Sequence, residues 1–428
     1  MSGEQIVNIN KGRITVRRYF WLALAIAFLA LPALELGAQP PPPPQQPPQP
    51  TQPPGAPGSP PPPGFGDALA GLTGPQQGAW KDGQNLFTAK LNPGNGLGPI
   101  FNRDSCVACH SGPAIGGSSE INTTRFGKTT AGVFDPLIAL GGSLLQERAL
   151  QPFGVEVIPS QANTTAKRNT QPLFGLGLIE AIPDATILAN VRSKPVNGVL
   201  GRAAMVTDPV TGKTFVGRFG WKAQQPNLLA FSADAFVNEM GITNRIYPEE
   251  NAPNGNETLL AAMEPPNVPT PNDQTDPRSG KAGIDRLTDF MRFTAPPPAQ
   301  PANASTTFGA TFFLQIGCTS CHVPSMKTGA NSVAALNSQT VSLYSDLLLH
   351  DMGALGDGIA QGNAGPREMR TAPLWGLSAS GPYLHDGRAH TVDAAIRAHA
   401  GEAAYSVNQY LKLTSSQQSL LLQFLNSL

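Results

Sequence analysis

Neither sign of charge prevails in this 428-residue chain. Lys and Arg number 29, Asp and Glu number 29, and charged residues make up 14% of the total. A surface so sparse and balanced offers no electrostatic footprint for nucleic acid or an acidic membrane surface, and nucleic acid is excluded as a partner. Long apolar runs are also missing. The longest, Tyr19 to Leu34, falls short of the roughly 20 residues a membrane span needs and contains Pro32. Cysteines number four and histidines six, which allows two disulfides at most. What the chain has in quantity is Gly (45) and Pro (43), with an apolar fraction of 40% that is ample for a core.

The N-terminus places Lys11, Arg13, Arg17 and Arg18 before that apolar run and Leu36-Gly37-Ala38 after it. This is the layout of a secretory signal over residues 1–38, with a retained membrane anchor as the alternative. Arg17-Arg18-Tyr19-Phe20 echoes a twin-arginine signal. Residues 39–64, almost wholly Pro, Gln and Gly, can bury no apolar surface and read as an extended disordered tether. "TAPPPAQPANAS" at 294–305 divides the remainder into residues 65–295 and 303–428.

Each part begins alike, with an apolar helical stretch and then Cys-x-x-Cys-His. The first is Cys106, Cys109 and His110; the second is Cys318, Cys321 and His322. Before the second, Phe308, Phe312 and Ile316 recur on one helical face. At the C-terminus Ser415 and Gln418 suggest a capping box ahead of a stripe of Leu420, Leu421, Phe424, Leu425 and Leu428. The expected fold is mainly α: two tandem cytochrome c-like haem domains with long Gly/Pro-rich loops.

Two thiols one helical turn apart reach the two vinyl groups of one porphyrin, and the adjoining imidazole is carried beneath the ring to bind iron. Zinc would want converging cysteine pairs or a distant His pair, and thioredoxin-like chemistry has no use for the histidine. All four cysteines are used in this way, so the spacing predicts two covalently attached c-type haems with His110 and His322 as proximal ligands. Attachment takes place outside the cytoplasm on an unfolded chain, which favours the general secretory route and a periplasmic location. The other histidines, His350, His385, His390 and His399, all lie in the C-terminal half. Two strong ligands on an iron make an electron carrier, whereas an open position permits chemistry on peroxide or oxygen.

With both triplets, "MRTAPLWGLSASGPYLHDGRAHTVDAAIRAHAGEA" at 369–403 resembles the di-haem oxidoreductase family, relatives of bacterial di-haem cytochrome c peroxidases and MauG-type enzymes. The likeness runs from about Gly66 to the C-terminus and is most specific in the C-terminal half. In that family the distal ligand of the C-terminal haem lies fourteen residues beyond the histidine of "PYxHDG"; from His385 this falls on His399. The resemblance thus implies His322 and His399 on one iron, where the peroxidases have methionine and MauG tyrosine. "RFGWKAQQPNLLAFSADAFVNEMG" at 218–241 is similar to the family segment that supplies an inter-haem tryptophan and a distal glutamate, which implies those roles for Trp221 and Glu239. The accompanying glutamine is unmatched, with Leu229 and Phe231 in its neighbourhood. His350, beside Met352, and the turn of His385 and Asp386 are expected to pack around the C-terminal haem, and Arg370 and Arg388 to pair with its propionates.

The expected function is that of an exported peroxidase-like oxidoreductase. Its N-terminal haem reacts with peroxide or a similar small-molecule oxidant, and its C-terminal haem passes electrons from a small donor such as a cytochrome c or cupredoxin. A non-catalytic di-haem electron-transfer protein is the alternative, and MauG-like oxidation of a partner protein a third. A calcium ion between the domains and a homodimer complete the expectations that the resemblance raises.

Overall fold

The structure, a computed structural model, describes residues 63–263 and 272–428. The expected signal and nearly all of the proline-rich tether lie outside them. Among the described residues no helix is long and apolar enough to cross a membrane.

Helix α1 (Gly74–Thr88) starts at Thr73, where a capping box with Gln76 satisfies its first amides, and Pro75 sits in the first turn, where no amide donor is needed. Strand β1 (Asn122–Thr130) pairs antiparallel with β2 (Val133–Asp135) and with β3 (Thr164–Asn169), with Asn122 opposite Asn169 and Lys128 opposite Asp135. Helix α2 (Leu228–Met240) is capped by the Asn227 side chain, which accepts from the Ala230 amide. Helix α3 (Gly283–Phe293) packs along α1, and α4 (Ala304–Gln315) leads into the second triplet. Beyond it β4 (Leu349–Asp351) pairs antiparallel with β5 (Glu368–Arg370), and helices α5 (Val392–Ala398) and α6 (Ser415–Leu425) close the chain.

Two apolar clusters support the two triplets. In the first, Phe87 of α1 meets Phe290 of α3 with ring centroids 4.7 Å apart. Gly83 makes that approach feasible, because a Cβ there would lie 2.1 Å from the Arg286 carbonyl oxygen. This cluster also takes in Met326, Leu343, Leu347 and Trp375 from beyond the second triplet. In the second, α4 lies against α6 through Phe313, Phe424 and Leu425, with Gly309 facing the Leu420 carbonyl at 2.2 Å from where its Cβ would stand. Full burial of each such side chain contributes about 1.5–3 kcal/mol.

Three expectations need correction. The fold is mixed, with 34% helix and 15% strand, because the Thr-rich stretches of β1 and β3, which alternate only weakly in hydrophobicity, pair with each other across a long loop. On α4 the buried positions are Thr306, Gly309 and Phe313; of the expected stripe Ile316 is buried and Phe312 half-buried against the same cluster, while Phe308 is 61% exposed. The cap of α6 is Thr414 with Gln417, one residue earlier than the Ser415 pairing.

The loops around 140–157 and 251–256 are fastened by one buried carboxylate. Glu156, 4% exposed, accepts from the Gln146 amide at 2.7 Å and the Asn254 amide at 2.8 Å. Burial raises its pKa to about 6 despite those two donors. The protonated form is therefore the one the fold favours, and this group's contribution is full below pH 4.5 and lost as pH rises through 6. Thermal unfolding followed from pH 4.5 to 7.5 is expected to show a decline of about 2 kcal/mol across that window. E156Q should remove the decline while lowering stability at every pH, since its amide NH2 would face a backbone N–H. A variant that keeps the wild-type slope would contradict this assignment.

Candidate haem sites

At the second triplet, α4 runs directly into a tight turn, Cys318–Ser320, and Cys318, Cys321 and His322 all line one cavity. His322 Nδ1 donates to the Tyr344 carbonyl at 2.9 Å. His399 ends α5, and its Nδ1 donates to the Ala395 carbonyl at 2.7 Å, satisfying a helix-terminal acceptor. A carbonyl can only accept, so each ring carries its proton on Nδ1 and leaves Nε2 as a free donor atom. Burial pushes His322 down to about 4 and lowers His399 as well, keeping both neutral. Both line one cavity of about 290 Å³, walled by Phe313, Leu374, Tyr383 and Leu425.

The cavity also exposes Arg370, 7% accessible, whose guanidinium donates to the Gly220 and Thr371 carbonyls but meets no carboxylate within ion-pair distance among the described residues. Burial lowers its pKa to about 10, with distant Asp346 pulling the other way. A buried cation without a counter-ion, beside two thiols and two tethered neutral imidazoles in an apolar cavity, suits a porphyrin and its propionates.

His350 lines the same cavity, and its ring is engaged by carboxylates. It is 2% exposed, its Nδ1 is 2.7 Å from Glu402 and its Nε2 is 2.9 Å from Asp346. Burial opposes its charge, yet Asp346, the Cys321 sulfur and Glu402 together push its pKa up to about 12. Both ring nitrogens of this imidazolium are committed, so it neither ligates iron nor bonds a propionate. The same contacts account for Cys321, Asp346 and His350 forming a metal-ligand-like cluster. Arg388 is half-exposed and pairs with Asp386 through Nε, 2.6 Å away. His385 is buried in the cavity wall, its ring 6.4 Å from Trp221 in an edge-on arrangement, and His390 is exposed.

At the first triplet the turn is Cys106–Ala108, and His110 Nδ1 donates to the Gly117 carbonyl at 3.1 Å. The backbone of Gln171 also faces that ring, and burial pushes its pKa down to about 4. Phe87 stands edge-on to it at 5.9 Å. The donor set resembles the second triplet: two thiols outside any disulfide and an imidazole whose Nδ1 donates to a backbone carbonyl. Burial pushes Cys106 and Cys318 up to about 12 and Cys109 up to about 11. Neutral thiols of this kind are poor nucleophiles for disulfide exchange.

Beside this triplet stands the C-terminal end of α2. Met240 Sδ is 3.9 Å from Cys106 Sγ, and the preceding Glu239 is close enough to influence both cysteines. Asn102 Nδ2 donates to Glu239 Oε2 at 2.7 Å. Burial holds the Glu239 carboxyl above its ordinary range, Arg125 and the Asn102 bond draw it back, and Asp234 adds to the rise. Asn102, Arg125 and Asp234 were not legible in the sequence, since they converge from segments far apart in the chain. Leu229 and Phe231 pack on the apolar core, Phe231 stacking on Phe219 at 6.0 Å, while Gln225 brings an amide to Asp234 from elsewhere.

Trp221 lies in the wall of the C-terminal cavity, and its indole Nε1 donates to the Asn169 carbonyl at 2.9 Å. Two residues on, Gln171 faces His110. The structure thus brings His322, His399 and Trp221 to one cavity, and His110, Cys106, Cys109 and Glu239 to a second neighbourhood.

Residues 160–428 match the family described as "Di-haem oxidoreductase, putative peroxidase". Among solved structures the chain is similar to hydrazine synthase of Kuenenia stuttgartiensis, at 14% identity over 90% of this chain and 100% of that one, with a TM-score of 0.36. It is similar to the diheme peroxidase BthA of Burkholderia thailandensis, at 14% identity over 82% and 86%, TM-score 0.37. A MauG-like protein associated with microbial copper homeostasis matches at 17% identity over 60% and 89%, TM-score 0.30. No curated protein matches.

Proposed function

The chain belongs to the di-haem oxidoreductase family, and from that premise we propose that it is an exported, periplasmic c-type cytochrome whose two haem centres divide the work of a peroxidase-like reaction. Membership implies two haems. Cys106 and Cys109, with His110, would hold the first; Cys318 and Cys321, with His322 and His399, the second. When bound, haem supplies iron that changes oxidation state and, where a position is open, binds an oxidant.

The asymmetry of the two neighbourhoods carries the reading. The C-terminal cavity pairs two tethered imidazoles, which suits electron transfer from a small donor such as a cytochrome c or cupredoxin. Beside Cys106 and Cys109 the described residues place no second imidazole but a half-buried carboxyl, Glu239, able to hold or release a proton. Asn102 donates to Oε2, which leaves Oε1 as the oxygen that could take a proton from a peroxide and return it. Trp221, between His385 and Asn169, would relay electrons between the two centres.

The purified holo-protein, supplied with a reduced small cytochrome c, is expected to oxidise it in proportion to added peroxide. No oxidation, together with no spectral response to peroxide or carbon monoxide, would instead favour the non-catalytic electron-transfer protein.

A further inference from the structure

Trp221 is held by more than its own hydrogen bond. The next residue, Lys222, has no exposed side-chain surface, and neither does Asp357, whose Oδ1 lies 2.8 Å from Lys222 Nζ. The same Nζ donates to the carbonyls of Gly365 at 3.1 Å, Pro366 at 3.3 Å and Glu368 at 2.6 Å. The other Asp357 oxygen, Oδ2, accepts from Arg168 Nε at 2.9 Å and lies 2.8 Å from its Nη2. One carboxylate and two cations are therefore buried together with a net positive charge. Such a cluster is an expensive route to stability, because removing ions from water offsets most of what their attraction returns.

Its placement gives it a use. Arg168 and Lys222 are the chain neighbours of Asn169 and Trp221, and it is Asn169 whose carbonyl receives the Trp221 indole N–H. Asp357 draws the two cations onto one carboxylate and so brings the end of β3 against the Trp221 segment. From the other side Arg370 closes the hold: its amide donates to the Trp221 carbonyl at 2.9 Å and its Nε to the Gly220 carbonyl at 2.9 Å. Without the Asp357 charge, Arg168 and Lys222 would repel each other across a desolvated gap.

We infer that Asp357, bridging Arg168 and Lys222, is a positioning residue that fixes the Trp221 indole between the two haem-attachment triplets. This rests on the functional reading above and deepens it. D357N keeps the shape but has one acceptor oxygen where two cations need two, and turns an NH2 toward one of them.

The test uses the holo-protein carrying both haems. Ultraviolet resonance Raman difference spectra against W221F isolate the Trp221 indole. D357N is expected to shift the band that reports the indole N–H hydrogen bond toward its free position. The same variant is expected to slow electron equilibration between the haems after photoreduction by more than tenfold at unchanged midpoint potentials, with D357E restoring most of the rate. If D357N does not fold, K222M, which leaves the Arg168–Asp357 pair intact, is read by the same band. A folded variant with a wild-type indole signature overturns the inference. W221F judges the relay reading separately: a wild-type equilibration rate in that variant refutes the relay, and the indole band alone then decides the role of Asp357.

Discussion

E239Q is expected to lower kcat/KM for peroxide about 10²–10⁴-fold, the usual loss when a positioned general acid–base is removed, while both haems remain attached. The substitution preserves the size of the side chain, and its amide oxygen can still accept from Asn102 Nδ2, so the packing of α2 against the first triplet stays intact. What it loses is an exchangeable proton at Oε1. The sign of the pH dependence follows from the burial of this carboxyl, which Arg125 and Asn102 only partly offset. To take a proton from peroxide the group must be ionised, so activity should rise with pH through a limb lying above the ordinary carboxylate range. In E239Q that limb should disappear. Steady-state kinetics from pH 4.5 to 8 check both points, and a variant with full activity and an unchanged limb would remove Glu239 from the reaction.

The second large effect is expected at His399. H399A deletes the imidazole that shares the cavity with His322 and leaves the Ala395 carbonyl without its donor. Neither other histidine of the cavity replaces it: His350 has both nitrogens committed to Asp346 and Glu402, and His385 stands against Trp221. The C-terminal centre should change from low-spin to high-spin, and carbon monoxide bound by the reduced protein should rise from about one to about two per chain, since an open position admits external ligands. Added imidazole should restore the low-spin spectrum. If H399A keeps the wild-type spectrum, another group closes that centre.

Both predictions begin in short stretches of sequence, and the reason is chemical. Attachment of a porphyrin needs two thiols and an imidazole within five residues, so Cys106 to His110 and Cys318 to His322 are local by necessity. His399 and Glu239 came from resemblance to a family; the structure sets His399 in one cavity with His322 and Glu239 beside Cys106 and Cys109. What surrounds them is long-range and left no local trace. Glu239 owes its environment to Asn102, Arg125 and Asp234, and the Trp221 segment owes its hold to Asp357. On α4 the periodicity placed Ile316 rightly but missed Phe313, which is more deeply buried than Phe312, because an unbroken aromatic pair fits either phase until α6 supplies the facing surface. The strands were missed for a related reason: β1 and β3 lie more than thirty residues apart in the chain and have little apolar alternation, so their pairing partner is the main signal of their existence.

The central claim is that two haems are bound with unequal ligation, the first open and the second closed by His322 and His399. Quantitative EPR of the ferric holo-protein tests it most directly. The account predicts two haem irons per chain, one high-spin and one low-spin with the signature of two imidazoles, in equal amounts. Two low-spin irons, or a single iron per chain, would contradict it.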